Sequence, residues 1–230
     1  MPFRLLDLSQ PLFHDAPNCP THPPVKVEIL ADYPDSGWRL EGLSLASHTG
    51  SHVDAPSHRM PDGKTLDDLP LETFVGPAYI ADLRAHISPD MPIGAAALAE
   101  CLPEAPSAGP DPLAGNIVLL ATGWGGKRAK TDEWLRRSPY LAVEGADYLA
   151  GRGVRGVGID HFSVGGMTAE NERTHEALLG RGIWILEELN FPDAAFELPQ
   201  PATLWALPVN LGNGASGSFC RPVLVVPGGE

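Results

Sequence analysis

Residues 48–58 read His48-Thr49-Gly50-Ser51-His52-Val53-Asp54-Ala55-Pro56-Ser57-His58. Three of the chain's eight histidines and one aspartate fall inside these eleven positions. Imidazole and carboxylate are the groups that hold a zinc-like ion, and a spare group beside them can move protons. A helix would place His48 and His52 on one face, but Gly50 and Pro56 both oppose it. A straight strand would separate the two by ~13 Å, at the limit of what two imidazoles can bridge through one ion. The chain therefore has to bend near Gly50, where a positive φ costs little. Just upstream, Leu43 and Leu45 alternate with Ser44 and Ala46 as in a strand. The pattern predicts a strand ending near Ser47 and a ligand-bearing loop after it; a polar surface loop rich in histidine is the plainer alternative.

Working outward, hydrophobic periodicity predicts an α/β protein. Val25–Leu30, Tyr79–Leu83, Ile117–Ala121, Val157–Asp160, Ile183–Leu189, Leu204–Val209 and Val223–Val226 read as strands. Ile93–Cys101, Asp132–Arg137, Val143–Gly151 and Ala169–Leu179 read as helices, the last with Thr168 placed to cap it and Gly180 after its end. The Pro/Gly-rich connections 88–94 and 102–115 are too short to be domain boundaries. At 230 residues the chain is long enough for a sizeable core and short enough for one domain, residues 1–230. Periodicity leaves the sheet topology open.

Composition narrows the partners. The formal net charge is -13, which argues against nucleic acid, since a phosphate backbone would be repelled. No apolar run is long enough to span a membrane, and no apolar leader is visible at the N-terminus. Cys19, Cys101 and Cys220 are odd in number and form no Cys-x-x-Cys, so a reducing, cytoplasmic setting is expected. Cys19 as a nucleophile would need a base, and only His14 or His22 lies near it in sequence.

A second constellation pairs His175 with Glu187. His175 shares a helix face with Leu178 and Leu179, so it points inward. Glu187 shares a strand face with Ile185 and Leu189, where a carboxylate is costly unless something positive meets it. A metal ion would serve; a buried histidine bonded to a carbonyl and a glutamate at a sheet edge are the plainer readings. Residues 212–217 match G-x-G-x-x-G, but Phe219 and Pro222 follow instead of a helix, so a loop near the pocket is expected rather than a dinucleotide site. No G-x-S-x-G elbow or Walker A pattern occurs. Asp160, at the end of an apolar strand, reads equally as support for a site or as structural.

The 48–58 segment resembles the signature His-x-Gly-Thr-His-x-Asp-x-Pro-x-His of the metal-dependent cyclase and kynurenine formamidase-like hydrolase family, with Ser51 in place of the usual Thr. Asp7–Leu12, Asn116–Trp124, Val157–Val164 and His175–Leu189 are similar to further stretches of that family, in its order, across nearly the whole chain. The resemblance implies a single-domain swivelling β/β/α-type fold, with a mixed sheet flanked by helices. It implies a metal-dependent hydrolase that cleaves a C–N amide bond of a small molecule (an aryl formamide, cyclic imide or isatin-like lactam) with metal-activated water. His48, His52 and Asp54 would hold one ion; Asp54, His175 and Glu187 would hold a second, as the family has His and Glu at this spacing. Zinc is the first choice, manganese the second, with one or two ions per chain. His58 is then free to carry protons. A homodimer or homotetramer is expected. In the formamidase branch the opening motif is followed by Trp-Pro-Gly-Asp, with the Trp against the substrate ring. Here Cys19 replaces that Trp, so Cys19, Phe13, Trp38 and Phe162 are the candidate substrate contacts. Alternatives on this scaffold are a lyase or cyclase, a lactone hydrolase, and a non-catalytic binding protein in which His58 closes a metal-stabilised loop.

Overall fold

The computed structural model describes residues 3–228. In chain order the strands are β1 (Phe3–Asp7), β2 (Lys26–Ala31), β3 (Leu40–Ser44), β4 (His52–Asp54), β5 (Val75–Asp82), β6 (Pro92–Ile93), β7 (Ile117–Ala121), β8 (Tyr140–Leu141), β9 (Gly156–Ile159), β10 (Trp184–Glu187), β11 (Ala202–Trp205), β12 (Gly217–Phe219) and β13 (Val223–Pro227). The helices are α1 (Ala95–Cys101), α2 (Asp132–Arg136), α3 (Val143–Gly151) and α4 (Asn171–Leu179).

One nine-stranded sheet, in the order β1-β13-β11-β5-β7-β9-β10-β4-β12, organises the α/β domain. Its centre, β5-β7-β9-β10, is parallel, and both flanks are antiparallel. Burial explains that division. All five residues of β7 and all four of β9 are buried, as strands covered on both faces must be. On one face Leu98 of α1, Ala146 and Leu149 of α3, and Leu178 and Leu179 of α4 pack against Val118, Leu120, Val157 and Ile185. On the other, Leu8, Val53, Phe74, Trp184, Leu186, Leu204 and Leu224 form a second apolar layer. No helix among the described residues is long and apolar enough to cross a membrane.

The expected strand Ile117–Ala121 and helix Val143–Gly151 are found with those bounds. Three differences have physical causes. The helix expected from Ile93 starts at Ala95, because Pro92–Ile93 pairs with Tyr140–Leu141. The strand expected over Leu204–Val209 ends at Trp205, and beyond it only Pro208 makes an isolated bridge, to Cys220. Thr168 does not cap α4: Glu170 is its N-cap, without a side-chain bond, and Thr168 instead supports the preceding turn by donating to the Gly165 carbonyl.

Two apolar surfaces are left open. The β2–β3 hairpin carries Ile29, Leu30, Tyr33, Trp38, Leu40 and Leu43, each 53–75% exposed. The flank of the sheet shows Phe3, Leu5 and Trp205 to solvent, with Phe3 and Trp205 6.4 Å apart between ring centroids.

Candidate active site

The 48–58 segment is not simply a loop, as the sequence suggested. His52-Val53-Asp54 is strand β4, held between β10 and β12. Its pairing is non-local: Glu187 and Phe219 flank His52, while Ile185 and Gly217 flank Asp54. Side chains alternate along a strand, so His52 and Asp54 share a face with Glu187, and Val53 enters the apolar layer behind. The bend does fall at Gly50, with φ +66°. It returns His48 to the strand, its Nδ1 2.6 Å from Asp54 Oδ1 and its Nε2 3.0 Å from Ser216 Oγ. Ser216 lies in the 212–217 segment, which touches the back of His48 and does not itself line the cavity. Gly217 makes room for the His48 ring: a Cβ there would fall 2.3 Å from His48 Cε1. A short 3₁₀ turn, Pro56–His58, brings the His58 ring to 3.9 Å from that of His48 and 5.8 Å from that of His175, centroid to centroid.

The polar atoms converge at spacings that suit a cation. His52 Nε2 lies 3.4 Å from Asp54 Oδ1 and 3.3 Å from Glu187 Oε2. His175 Nε2 lies 3.4 Å from Glu187 Oε1 and 3.9 Å from Asp54 Oδ2. Ligands bound tetrahedrally at ~2.1 Å stand ~3.4 Å apart. On the far side of each ring, His52 Nδ1 donates to the Gly50 carbonyl at 2.7 Å and His175 Nδ1 to the Asn171 carbonyl at 2.8 Å. These bonds fix the tautomers and aim both Nε2 lone pairs into the site. Asp54 Oδ2 is buried without any hydrogen-bond partner, a costly state that a cation relieves. The three-group clusters that converge are His52–Asp54–Glu187 and His48–Asp54–His58. Asp54 is common to both. The grouping differs from the expected one in three ways: His52 sits with Glu187, His58 stands with His48 and Asp54, and His175 falls in neither cluster, although its Nε2 lies 3.4 Å from Glu187 Oε1.

Electrostatics agree. Burial works against the Asp54 charge, yet His52 and His48 hold its pKa well below the usual carboxylate range. Burial likewise opposes His175 protonation, yet the Glu187 hydrogen bond and charge lift it to about 9. His52 is raised well above its ordinary value, against burial, by Asp54 and Glu187. The pocket therefore demands positive charge, which a divalent ion supplies while displacing protons. His58 runs the other way: burial, with His48 and His175 adding, pushes it below its ordinary value.

A cavity of about 420 Å³ opens over these groups, a size suited to small organic molecules. His48, His52, His58, His175 and Glu187 line it, as do two of the expected substrate contacts, Cys19 and Phe162. Phe13 and Trp38 do not. They are 49% and 75% exposed and stand on the surface of this chain, because the hairpin carrying Trp38 does not fold back over the site. Phe162 provides the aromatic wall, backed by Trp134 and His161 at centroid distances of 5.2 and 3.9 Å. Asp160 turns out to be structural: it is buried and accepts from the Thr122 backbone N–H and hydroxyl, tying down the turn after β7. Thr21, His22 and Asn171 also line the cavity; the first two follow Cys19 directly in sequence, whereas nothing in the sequence places Asn171 there.

Residues 6–165 match the Cyclase family, and the chain belongs to it. A kynurenine formamidase of Bacillus cytotoxicus is 31% identical over 223 residues, covering 95% of this chain and 96% of the relative. Isatin hydrolase A from Labrenzia aggregata, solved with benzyl benzoate, superposes with a TM-score of 0.81 at 26% identity, over 98% of this chain and 94% of that one. A structure described as a potential metal-dependent hydrolase with cyclase activity superposes with a TM-score of 0.77 at 26% identity, over 99% of this chain and all (100%) of that one.

Proposed function

We propose that this chain is a metal-dependent hydrolase acting on a non-peptide C–N bond of a small molecule: an aryl formamide, a cyclic imide or an isatin-like lactam. The observation that carries this reading is the convergence of the His52 and His175 Nε2 atoms on two buried carboxylates, one with an unpartnered oxygen. His48, His52, Asp54, His175 and Glu187 would hold one or two divalent ions, zinc in the first place and manganese in the second. When bound, such an ion polarises the substrate carbonyl and makes water acidic enough to attack at neutral pH.

The chain's own groups do the rest. Asp54 and Glu187 keep the site anionic and fix its cation. Phe162 gives the substrate ring an apolar face, worth about 0.5–1.5 kcal/mol beyond area burial when aromatic rings pair. His58, facing the cavity, takes the proton from the attacking water on a ring nitrogen and returns it to the leaving amine nitrogen. Relatives acting on formamides and on isatin support the substrate range. The test is a screen of aryl formamides, cyclic imides, isatin-like lactams and lactones with zinc- and manganese-loaded protein. Turnover of an amide that a chelator abolishes is expected; ring closure or elimination without hydrolysis would move the enzyme to the lyase class.

Two further points belong to this reading. The open hairpin and the open sheet flank suit a symmetric homodimer, in which each copy covers the other's apolar surface; light scattering should give twice the 24.5 kDa chain mass or a higher multiple. Three free cysteines suit a reducing, cytoplasmic setting.

A further inference from the structure

Glu188 follows Glu187 at the end of β10 and has a positive φ, +58°. The other described non-glycine residues with positive φ are Asp15, Asp90 and Asn213, types that visit this region readily, whereas a glutamate does so at a cost. Such a conformation persists where its surroundings hold it, and Glu188 is held from three sides. Its N–H donates to the His161 carbonyl at 2.7 Å, and its own carbonyl accepts from Ser51 Oγ at 2.7 Å. Those two partners directly precede Phe162 and His52. Its side chain accepts from Arg128, Nε to Oε1 at 2.5 Å, and both side chains are buried. The rest of the guanidinium forks to the segment before Cys19: Nη1 donates to the Pro11 carbonyl at 2.8 Å and Nη2 to the Pro17 carbonyl at 2.9 Å. Two residues on, Cys19 packs on the Trp124, Trp134 and Phe162 cluster, and with Thr21 and His22 it walls the cavity. Lys130 also pairs with Asp15 of this segment, but both side chains are about half exposed, where an ion pair holds little. The buried fastening of the wall is Arg128.

We propose that Arg128 is a positioning residue: its bonds to Glu188, Pro11 and Pro17 set the Cys19–His22 wall against the end of β10, and substrate fit depends on that setting. This rests on the hydrolase reading above, with the cavity as its substrate site. Stability alone does not account for the pair, because apolar residues of similar volume commonly serve a buried position as well or better. Three acceptors in three directions are what a planar, five-donor fork can meet together and a lysine ammonium cannot. Arg128 touches neither substrate nor metal ligand in this role; it acts through the wall.

Wild type, Arg128→Lys and the double variant Arg128→Met with Glu188→Met are compared, each zinc-loaded and with bound zinc quantified. Iodoacetamide labelling resolved by peptide mass spectrometry reads the wall at Cys19 without turnover, with Cys101 on α1 as the control thiol. KM and kcat on the best substrate of the screen read the fit. Arg128→Lys should keep its zinc, label Cys19 about tenfold faster or more, and leave Cys101 within about twofold. Its KM should rise about 3–10-fold with kcat within about threefold, as when the wall is in place in roughly a third to a tenth of molecules. The double variant, which removes the fork without stranding a buried charge, should unfold at or above the wild-type midpoint and still show both changes. A double variant with wild-type KM and Cys19 labelling would make the pair purely structural and overturn the proposal. So would an Arg128→Lys enzyme unchanged in either readout, one that loses zinc, or one in which Cys101 accelerates together with Cys19. If the double variant does not fold, Arg128→Lys decides alone. If wild type hydrolyses none of the screened amides, the hydrolase reading falls by itself, and Cys19 labelling still decides whether Arg128 sets the wall.

Discussion

Gly217→Ala places one methyl group against the most crowded part of the site. The added Cβ would lie 2.3 Å from His48 Cε1, 2.8 Å from His48 Nδ1 and 2.7 Å from the Val53 carbonyl oxygen. The carbonyl belongs to β4, which is paired on both edges and has little freedom to move. The His48 ring must yield instead, by about 1 Å to regain ordinary contact. That ring is pinned by Asp54 at 2.6 Å and Ser216 at 3.0 Å, so the shift breaks or bends both bonds. Overpacking of this kind costs about 1–3 kcal/mol of stability. Disturbing a ligand's orientation costs about 10–100-fold in metal affinity, and a ~1 Å misplacement about 10²-fold in rate. Zinc affinity by chelator competition, kcat/KM on the best substrate of the screen, and the unfolding midpoint would be measured together. Gly212→Ala is the control: it lies in the same loop, and nothing stands within 4 Å of its Cβ position. A Gly217→Ala enzyme within threefold of wild type in both affinity and kcat/KM would refute the packing argument and the placement of His48 with it.

His52→Ala should lose tight metal and nearly all activity, whereas His58→Ala should keep the metal and lose about 10²–10⁴ in kcat; His58→Ala purified without metal would make His58 a ligand, as its place in the His48–Asp54–His58 cluster allows. Glu187→Gln should keep the fold and weaken metal binding and activity together; full activity at unchanged metal content would leave Glu187 a purely structural acceptor for the Val164 N–H. Cys19→Ser should retain most hydrolysis, since the Sγ neighbour is Thr21 Oγ1 at 3.2 Å, which is no base; near-complete inactivation would revive a thiol nucleophile. His161 sets a pH dependence of stability. Burial drops its pKa from 6.5 to about 4, while Nε2–H donates to the Trp134 carbonyl and Nδ1 accepts from Ser138. The neutral form is the native one, so its contribution is complete above pH 6.5 and is lost as pH falls toward 4, by about 3 kcal/mol across that window. Urea unfolding at pH 7 and 4.5 should show a smaller drop for His161→Gln than for wild type; parallel drops would contradict it.

What the sequence displayed depended on how local each determinant was. The His48–His58 segment was legible because its ligands, its Gly50 bend and its Pro56 turn are written within eleven residues. The central strands were legible because burial on both faces leaves unbroken apolar runs such as Ile117–Ala121. β4 was not legible. Of its three residues only Val53 favours a strand, glycine, proline and serine bracket them, and hydrogen bonds to β10 and β12, drawn from residues more than 130 positions away, make them one. That pairing explains a feature the spacing alone obscured. His52 and Asp54 are two apart because a pleated strand puts i and i+2 on one face, and Glu187 joins them because it lies directly across the ladder. The fastening of the Cys19–His22 wall was illegible for the same reason: it is set by Arg128, Glu188 and the Phe162 cluster, none of them near it in the chain. Trp38 failed in the opposite sense. An aromatic residue near the motif in sequence invited a role in the pocket, but among the described residues its hairpin is a separate two-stranded sheet that carries the ring outward. The His48–His58 part of the proposed metal site is thus written locally, in a motif that bends back on itself, whereas Glu187, His175 and the cavity wall at Phe162 come from distant segments.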